Sequence, residues 1–198
     1  MADQGAVILA GESFQDQRFE GGDLTGLDLG GKDFTGCTFK QLRLPLTRWR
    51  EARFEDCRFE DCDLSRMAPD GLGVRGVVFA GCKLMGVDWS HVGAYPAMTF
   101  EACDLRYASF IGLRLRKMAF TGCTLEEAQF VDTELAEAAF ADCRLEGTRF
   151  ERCDLRKASF AGSTGLALLP AGNQLRGARV PVDAALRLAE SFGLQVLT

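Results

Sequence analysis

Phe100-Glu101-Ala102-Cys103-Asp104-Leu105-Arg106-Tyr107-Ala108-Ser109-Phe110 holds two five-residue units laid end to end. Each has a large apolar residue at its centre (Leu105, then Phe110) and a small or thiol-bearing residue two places earlier (Cys103, then Ala108). The same register runs backward through Trp89, Leu84, Phe79, Leu64, Phe59 and Phe54 to Phe14, with one extra residue near position 95. It runs forward through Leu115 and Phe120 to Leu155 and Phe160. Fourteen of the fifteen phenylalanines obey it and only Phe192 does not. A period of this kind outranks local signals, because it defines the architecture before any single element is considered.

A longer period of twenty is nested in the first. Every fourth centre gives an all-phenylalanine column, Phe19, Phe39, Phe59, Phe79, Phe100, Phe120, Phe140 and Phe160. Beside it runs an all-leucine column, Leu24, Leu44, Leu64, Leu84, Leu105, Leu125 and Leu145. A third holds Leu29, Trp49, Trp89, Phe110, Phe130 and Phe150, and a fourth Phe14, Phe34, Phe54, Leu115, Leu135, Leu155 and Leu175. Side-specific identity at twenty residues means four five-residue sides per coil, with like stacked on like. Inward positions two apart match the strand pleat, and the intervening polar, charged or glycine residues face water. Coils spaced about 4.8 Å apart and joined by parallel ladders make a thin, filled rod. Pro69, at a centre, cannot donate a ladder bond, and Pro69-Asp70-Gly71 reads as a turn, so a bulge is expected there.

The pattern resembles the pentapeptide-repeat proteins over residues 12–180, most of the chain. That resemblance implies an all-β, right-handed quadrilateral parallel β-helix of about eight coils. Residues 181–198 are expected to form a short C-terminal α-helix, for capping, and a dimerisation tail. Pro181 suits the helix's first turn and Gly193 its end. Val182, Ala185, Leu186, Ala189 and Phe192 share one face at helical spacing, part of which should cover the last coil.

Composition narrows the function. A formal net charge of -5 argues against direct nucleic-acid binding. No stretch approaches the ~20 apolar residues of a membrane span, and the Ala6–Ala10 run is too short for a signal peptide, so a cytoplasmic protein is expected. The eight cysteines all take the inward small position and read as buried hydrophobic filler, without C-x-x-C spacing for a metal. His91 lies beside Ser90 and Asp88, but sequence neighbours in a turn do not converge as a triad requires. Neither an enzyme nor a cofactor or metal site is expected.

Three features point outward. Two irregular segments, Arg66–Val77 and Ser90–Met98, are the candidate recognition loops, with Met67, Pro69, Asp70, His91 and Tyr95 as contact residues. Between Thr121 and Cys143 stand Glu126, Glu127, Asp132, Glu134, Glu137 and Asp142 with no Lys or Arg. On a rigid rod such carboxylates fall on a lattice of about 5 Å, comparable with the roughly 3.4 Å charge spacing along one DNA strand. Finally, Val182, Leu186, Phe192, Leu194, Val196 and Leu197 exceed what one cap needs and suit a two-fold interface.

Phe79-Ala80-Gly81-Cys82-Lys83-Leu84-Met85-Gly86-Val87-Asp88-Trp89, the closing helix and the Gly-Leu-x-Val tail resemble the Qnr, MfpA and albicidin-resistance branch of these proteins. That resemblance implies a homodimeric DNA mimic that binds DNA gyrase or topoisomerase IV and protects it from a quinolone or a natural-product poison. The short loops here favour self-immunity against a poison other than a quinolone. The alternative is a passive scaffold or docking module with no topoisomerase connection.

Overall fold

The computed structural model describes residues 4–195. Its organising feature is local: the second residue after nearly every centre adopts a left-handed conformation. Seventeen glycines and sixteen other residues have positive φ, and almost all sit at that position. Glycine tolerates this region freely, and aspartate more readily than most residues. The turn this produces after every fifth residue folds each twenty-residue coil into a square. We number the walls from the N-terminus, starting with the wall centred on Phe14, Phe34, Phe54 and Val74. Wall 2 carries the all-phenylalanine column and wall 3 the leucines, while wall 4 runs from Leu29 and Trp49 to Phe150.

Backbone ladders join the coils in parallel. Wall 2 is one sheet of seven strands, from Arg18–Glu20 to Ala139–Ala141, with Phe19 opposite Phe39 and Phe120 opposite Phe140. Two shorter sheets lie on different walls. Four strands from Ser13–Gln15 to Gly73–Arg75 form one on wall 1, and the three strands Ser109–Ile111, Gln129–Val131 and Arg149–Glu151 form another on wall 4. The change of wall follows the phenylalanine centres, which leave wall 1 after Phe54 and begin on wall 4 at Phe110. Aromatic side chains favour extended backbone. The leucine wall shows only single bridges, such as Asp63↔Lys83 and Lys83↔Asp104. Inside, Phe120 and Phe140 stack at 4.8 Å with a 2° interplanar angle, while Phe130 meets Phe140 edge-on at 5.6 Å and 89°.

The expected bulge at Pro69 is absent. Pro69 is buried, and Ala68 and Gly71 keep their ladder bonds to Thr47 and His91. The wall forgoes one N–H donor and stays flat. The smaller centre Val74 lines an apolar void of about 10 Å³ shared with Trp49, Met67 and Leu72, about the space of one water. The second irregular segment does depart from the repeat. Trp89–His91 forms a short 3₁₀ turn, with Asp88 accepting the Ser90 N–H at 3.0 Å.

Both ends are covered by helices, α1 (Gln4–Ala10) and α2 (Val182–Ser191). The sequence reading missed α1, although one residue signals it. Lys32 occupies an inward position that elsewhere holds small or apolar residues such as Cys37 and Ala52, and only 9% of it is exposed. Its ammonium donates to Leu9 O at 3.3 Å and Gly11 O at 2.6 Å, capping α1 where a cation is favoured. Helix α2 ends as expected: Gly193, at φ +77°, donates to Glu190 O, and Leu194 N–H donates to Ala189 O. Its packing face differs from the expected one. Ala184 is buried and Arg187 donates to Leu166 O at 3.0 and 3.2 Å, whereas Val182, Ala185, Leu186 and Phe192 stay exposed.

Two stability predictions follow from these contacts. Lys32→Met keeps the aliphatic stem and removes the cap, so it should cost about 1–3 kcal/mol in denaturant unfolding and speed amide exchange over residues 5–10. Unchanged exchange there would eliminate the capping role. Gly112 and Gly162 are both left-handed, but a Cβ on Gly112 meets nothing, whereas on Gly162 it would lie 2.0 Å from Asp142 Oδ1. Gly162→Ala should therefore lower Tm more than Gly112→Ala, and equal losses would show that the Asp142 contact contributes nothing.

Candidate partner-binding surface

The twenty-residue coil redistributes the acidic run. Glu127, Asp132, Glu137 and Asp142 are the four successive left-handed corners of one turn, so they point in four directions. Glu126 lies on wall 3 and Glu134 on wall 1. Each then meets residues from the turns above and below. Arg152 grips Asp132 with two hydrogen bonds of 2.7 and 2.8 Å, and this contact holds the Asp132 carboxyl below its usual range. Arg114 lies 3.4 Å from Glu134, Arg116 lies 3.4 Å from Glu137, and Arg144 pairs with Glu126. The uninterrupted band expected from the sequence is thus broken by bases one turn away. Bases nearer the N-terminus are neutralised likewise, with Arg48 on Asp28 at 3.3 Å and Arg53 on Asp33 at 3.4 Å.

What survives is smaller and confined to one wall. Among the described residues Glu127 and Asp142 have no cationic partner, and they stand at the two corners bounding wall 3. Between them lies Glu146, which accepts only from Thr164 Oγ1 at 3.0 Å. The sequence analysis missed Glu146, because its relation to Glu126 spans twenty residues. A signal was present at the corners. An acid followed twenty residues later by glycine keeps its space: a Cβ on Gly147 would lie 2.8 Å from Glu127 Oε1. An acid followed by a base, as in Asp132 and Arg152, is paired.

Of the loop candidates, Met67 and Pro69 are buried in wall 4 and cannot touch a partner. Asp70 faces outward. His91 is exposed, its Nδ1 lying 3.5 Å from Asp88. Tyr95 is 76% exposed, with the Arg114 guanidinium 5.4 Å from its ring centroid and donating to its hydroxyl at 2.9 Å. At the C-terminal end Val182, Leu186, Phe192 and Leu194 present an open apolar face, together with Leu169. Val196 and Leu197 lie outside the described residues.

The cysteines do more than fill space. Every one is buried and donates its thiol to the carbonyl of a phenylalanine centre in the preceding turn, from Cys37 on Phe14 O at 3.6 Å to Cys153 on Phe130 O at 3.2 Å. Thr133, Thr148 and Ser163 take the same position and make the same bond at 2.8 to 3.0 Å. Where the inward site carries a thiol or hydroxyl, that group can satisfy a carbonyl of the preceding turn; elsewhere the site is apolar, as at Ala108, Ala128 and Leu113. Burial pushes the Cys57 thiol up to about 12. Among the described residues no group of three or more His, Cys, Asp or Glu side chains is placed to hold a metal. Among the described residues no helix is long and apolar enough to cross a membrane.

Residues 33–66 match the family model for pentapeptide repeats (8 copies), and residues 96–165 match that for the pentapeptide repeat region. The chain belongs to the pentapeptide-repeat family. Two solved structures of trypsin-treated QnrB1, a plasmid-mediated fluoroquinolone resistance protein, share its architecture. The first is 21% identical with a TM-score of 0.53, covering 94% of this chain and 92% of that one. The second is 20% identical with a TM-score of 0.51, covering 93% and 100%. At that identity the likeness establishes the fold. No curated protein matches the sequence. Within this pentapeptide-repeat rod, Tyr95 and the C-terminal residues Val182, Phe192 and Leu194 are exposed.

The thiols supply a pH prediction. An unfolded Cys57 ionises near its ordinary value of 9.0, while the folded one does so only near 12. Its contribution is complete below pH 9 and is lost as pH rises toward 12. Tm should therefore fall above pH 9, less steeply in Cys57→Ala. Equal slopes in calorimetry would exclude this thiol as a source.

Proposed function

We propose that this protein is a rigid protein-binding rod that docks on DNA gyrase or topoisomerase IV and confers resistance or self-immunity to a topoisomerase-targeting antibiotic. The observation that carries this reading is the unneutralised carboxylate set Glu127, Asp142 and Glu146 on a rod with the fold of a fluoroquinolone resistance protein. Successive turns repeat charge every ~4.8 Å, and the basic DNA-binding surface of a topoisomerase is the complement of such a lattice. Attraction of this kind steers encounter and weakens with salt. The rod, residues 12–180, presents the charge. Residues 181–198 join two copies through Val182, Leu186, Phe192 and Leu194, with Val196 and Leu197 continuing the apolar tail.

The neutralised charges of walls 1 and 4 favour a second reading, a scaffold whose partner is not a topoisomerase. A gyrase supercoiling assay with and without a gyrase poison separates the two. The parent should rescue or inhibit supercoiling. Glu127→Gln, Asp142→Asn and Glu146→Gln combined should raise the concentration required by at least about tenfold, with an unchanged circular dichroism spectrum. Replacing the paired Asp132 and Glu134 by their amides should have a smaller effect. A triple variant as potent as the parent would discard charge mimicry, and an inert parent would leave the scaffold. In light scattering, Leu186→Lys with Phe192→Lys should halve the mass of the intact chain. A parent already monomeric at micromolar concentration would contradict the proposed end-to-end dimer.

A further inference from the structure

The corner between walls 3 and 4 is built from Gly26, Leu46, Arg66, Gly86, Tyr107, Glu127 and Gly147, every one with positive φ. Leu46 and Tyr107 stand out in that column. Among the sixteen non-glycine residues at positive φ, they alone carry large apolar side chains. Left-handed backbone is unfavourable for such residues, and burial does not compensate, since Leu46 is 55% and Tyr107 60% exposed. The ladder bonds of Leu46 N–H to Ser65 O and Tyr107 N–H to Glu126 O hold these corners left-handed, and strained residues held by surrounding structure cluster at ligand-binding sites.

The two side chains close the ends of a groove of about 480 Å³, whose floor is formed by Pro45, Met85 and Gly86. Gly86 has no side chain to fill the middle. The Arg66 stem lies across it, with Cγ 3.6 Å from where a Gly86 Cβ would stand. Among the described residues Arg66 makes no ion pair and no side-chain hydrogen bond. The nearby carboxylates are engaged elsewhere: Asp63 accepts from Ser65 at 2.7 Å, and Asp104 holds Arg106 at 2.6 Å. The groove thus has an apolar residue at each end and an uncompensated cation between them.

We propose that this groove binds an extended segment of a partner protein in which an acidic residue is flanked, two positions away on each side, by large apolar residues. The spacing follows from two repeat lengths. Leu46 and Tyr107 are three turns apart, about 14 Å at ~4.8 Å per turn. An extended peptide advances about 3.4 Å per residue, so side chains four residues apart span the same distance. Because that number is even, both point to the same face, as does the residue midway between them. The middle side chain falls over Gly86 within reach of the Arg66 guanidinium, which pairs with a carboxylate in bidentate geometry. The proposal is independent of the topoisomerase reading, since it uses none of the wall 3 carboxylates.

The test is fluorescence anisotropy of the intact chain with a labelled peptide Ser-Phe-Thr-Glu-Thr-Leu-Ser. Two control peptides replace Glu by Lys, or Phe and Leu by Ser. The parent peptide should bind, and each control should bind at least about tenfold more weakly. Leu46→Gly and Tyr107→Gly suit the left-handed corner, so they should melt at or above the parent temperature while losing binding. Arg66→Gln should lose the preference for Glu over Lys. No binding of the parent peptide at 1 mM (the ceiling of the titration), or equal binding by all three peptides or by the glycine variants, would overturn the proposal.

Discussion

The rod depends on a match of two lengths. Parallel strands lie about 4.8 Å apart, and flat aromatic rings pack at nearly the same separation. Phe34 and Phe54 stack at 4.7 Å, Phe39 and Phe59 at 4.5 Å, and Phe140 and Phe160 at 4.9 Å. Backbone ladder and side-chain column can therefore repeat together without accumulating mismatch. Other centres must adapt to that spacing. Trp49 needs Thr47 to accept its indole N–H at 2.5 Å, whereas Trp89 follows Val87 and its Nε1 has no partner. Where the phenylalanine columns change walls, between Phe54 and Phe110, the chain shows its buried proline, its void and its 3₁₀ turn. The irregularities are concentrated where the match is interrupted.

Those same columns made most of the fold legible before any coordinates. The periods of five and twenty assign every wall, and the replacement of Phe54 by Leu115 in one column, and of Leu29 by Phe110 in another, foreshadows the change of sheet. Pro69 misled because its missing donor suggested a bulge. The ladder bonds of Ala68 and Gly71 hold the wall flat around it. Helix α1 escaped notice because its evidence, the inward Lys32, is twenty-odd residues away from the carbonyls it caps.

Charge was read less well, for a reason intrinsic to solenoids. Residues adjacent in sequence occupy different walls, while those in contact are twenty apart. Six acids in a row therefore look like a single patch and become a ring, into which Arg114, Arg144 and Arg152 project from neighbouring turns. Exposed pairs of this type add little stability. Among the described residues of that acidic run they leave Glu127 and Asp142 without a cationic partner, beside Glu146 on the same wall. Specificity on so regular a surface arises where a repeat lacks its opposite number.

The square coil also bears on how the chain assembles. Apart from the caps and a longer-range pair such as Arg58 with Glu101 two turns on at 3.3 Å, the backbone ladders join each turn only to its immediate neighbours, so little tertiary contact need wait for a distant segment. The loop-closure entropy is nearly the same for each added turn, because each closes the same length of chain. Growth can then advance by accretion from any seed, in the manner of a one-dimensional crystal, and a nascent polypeptide can lay down courses while its remainder is still being translated.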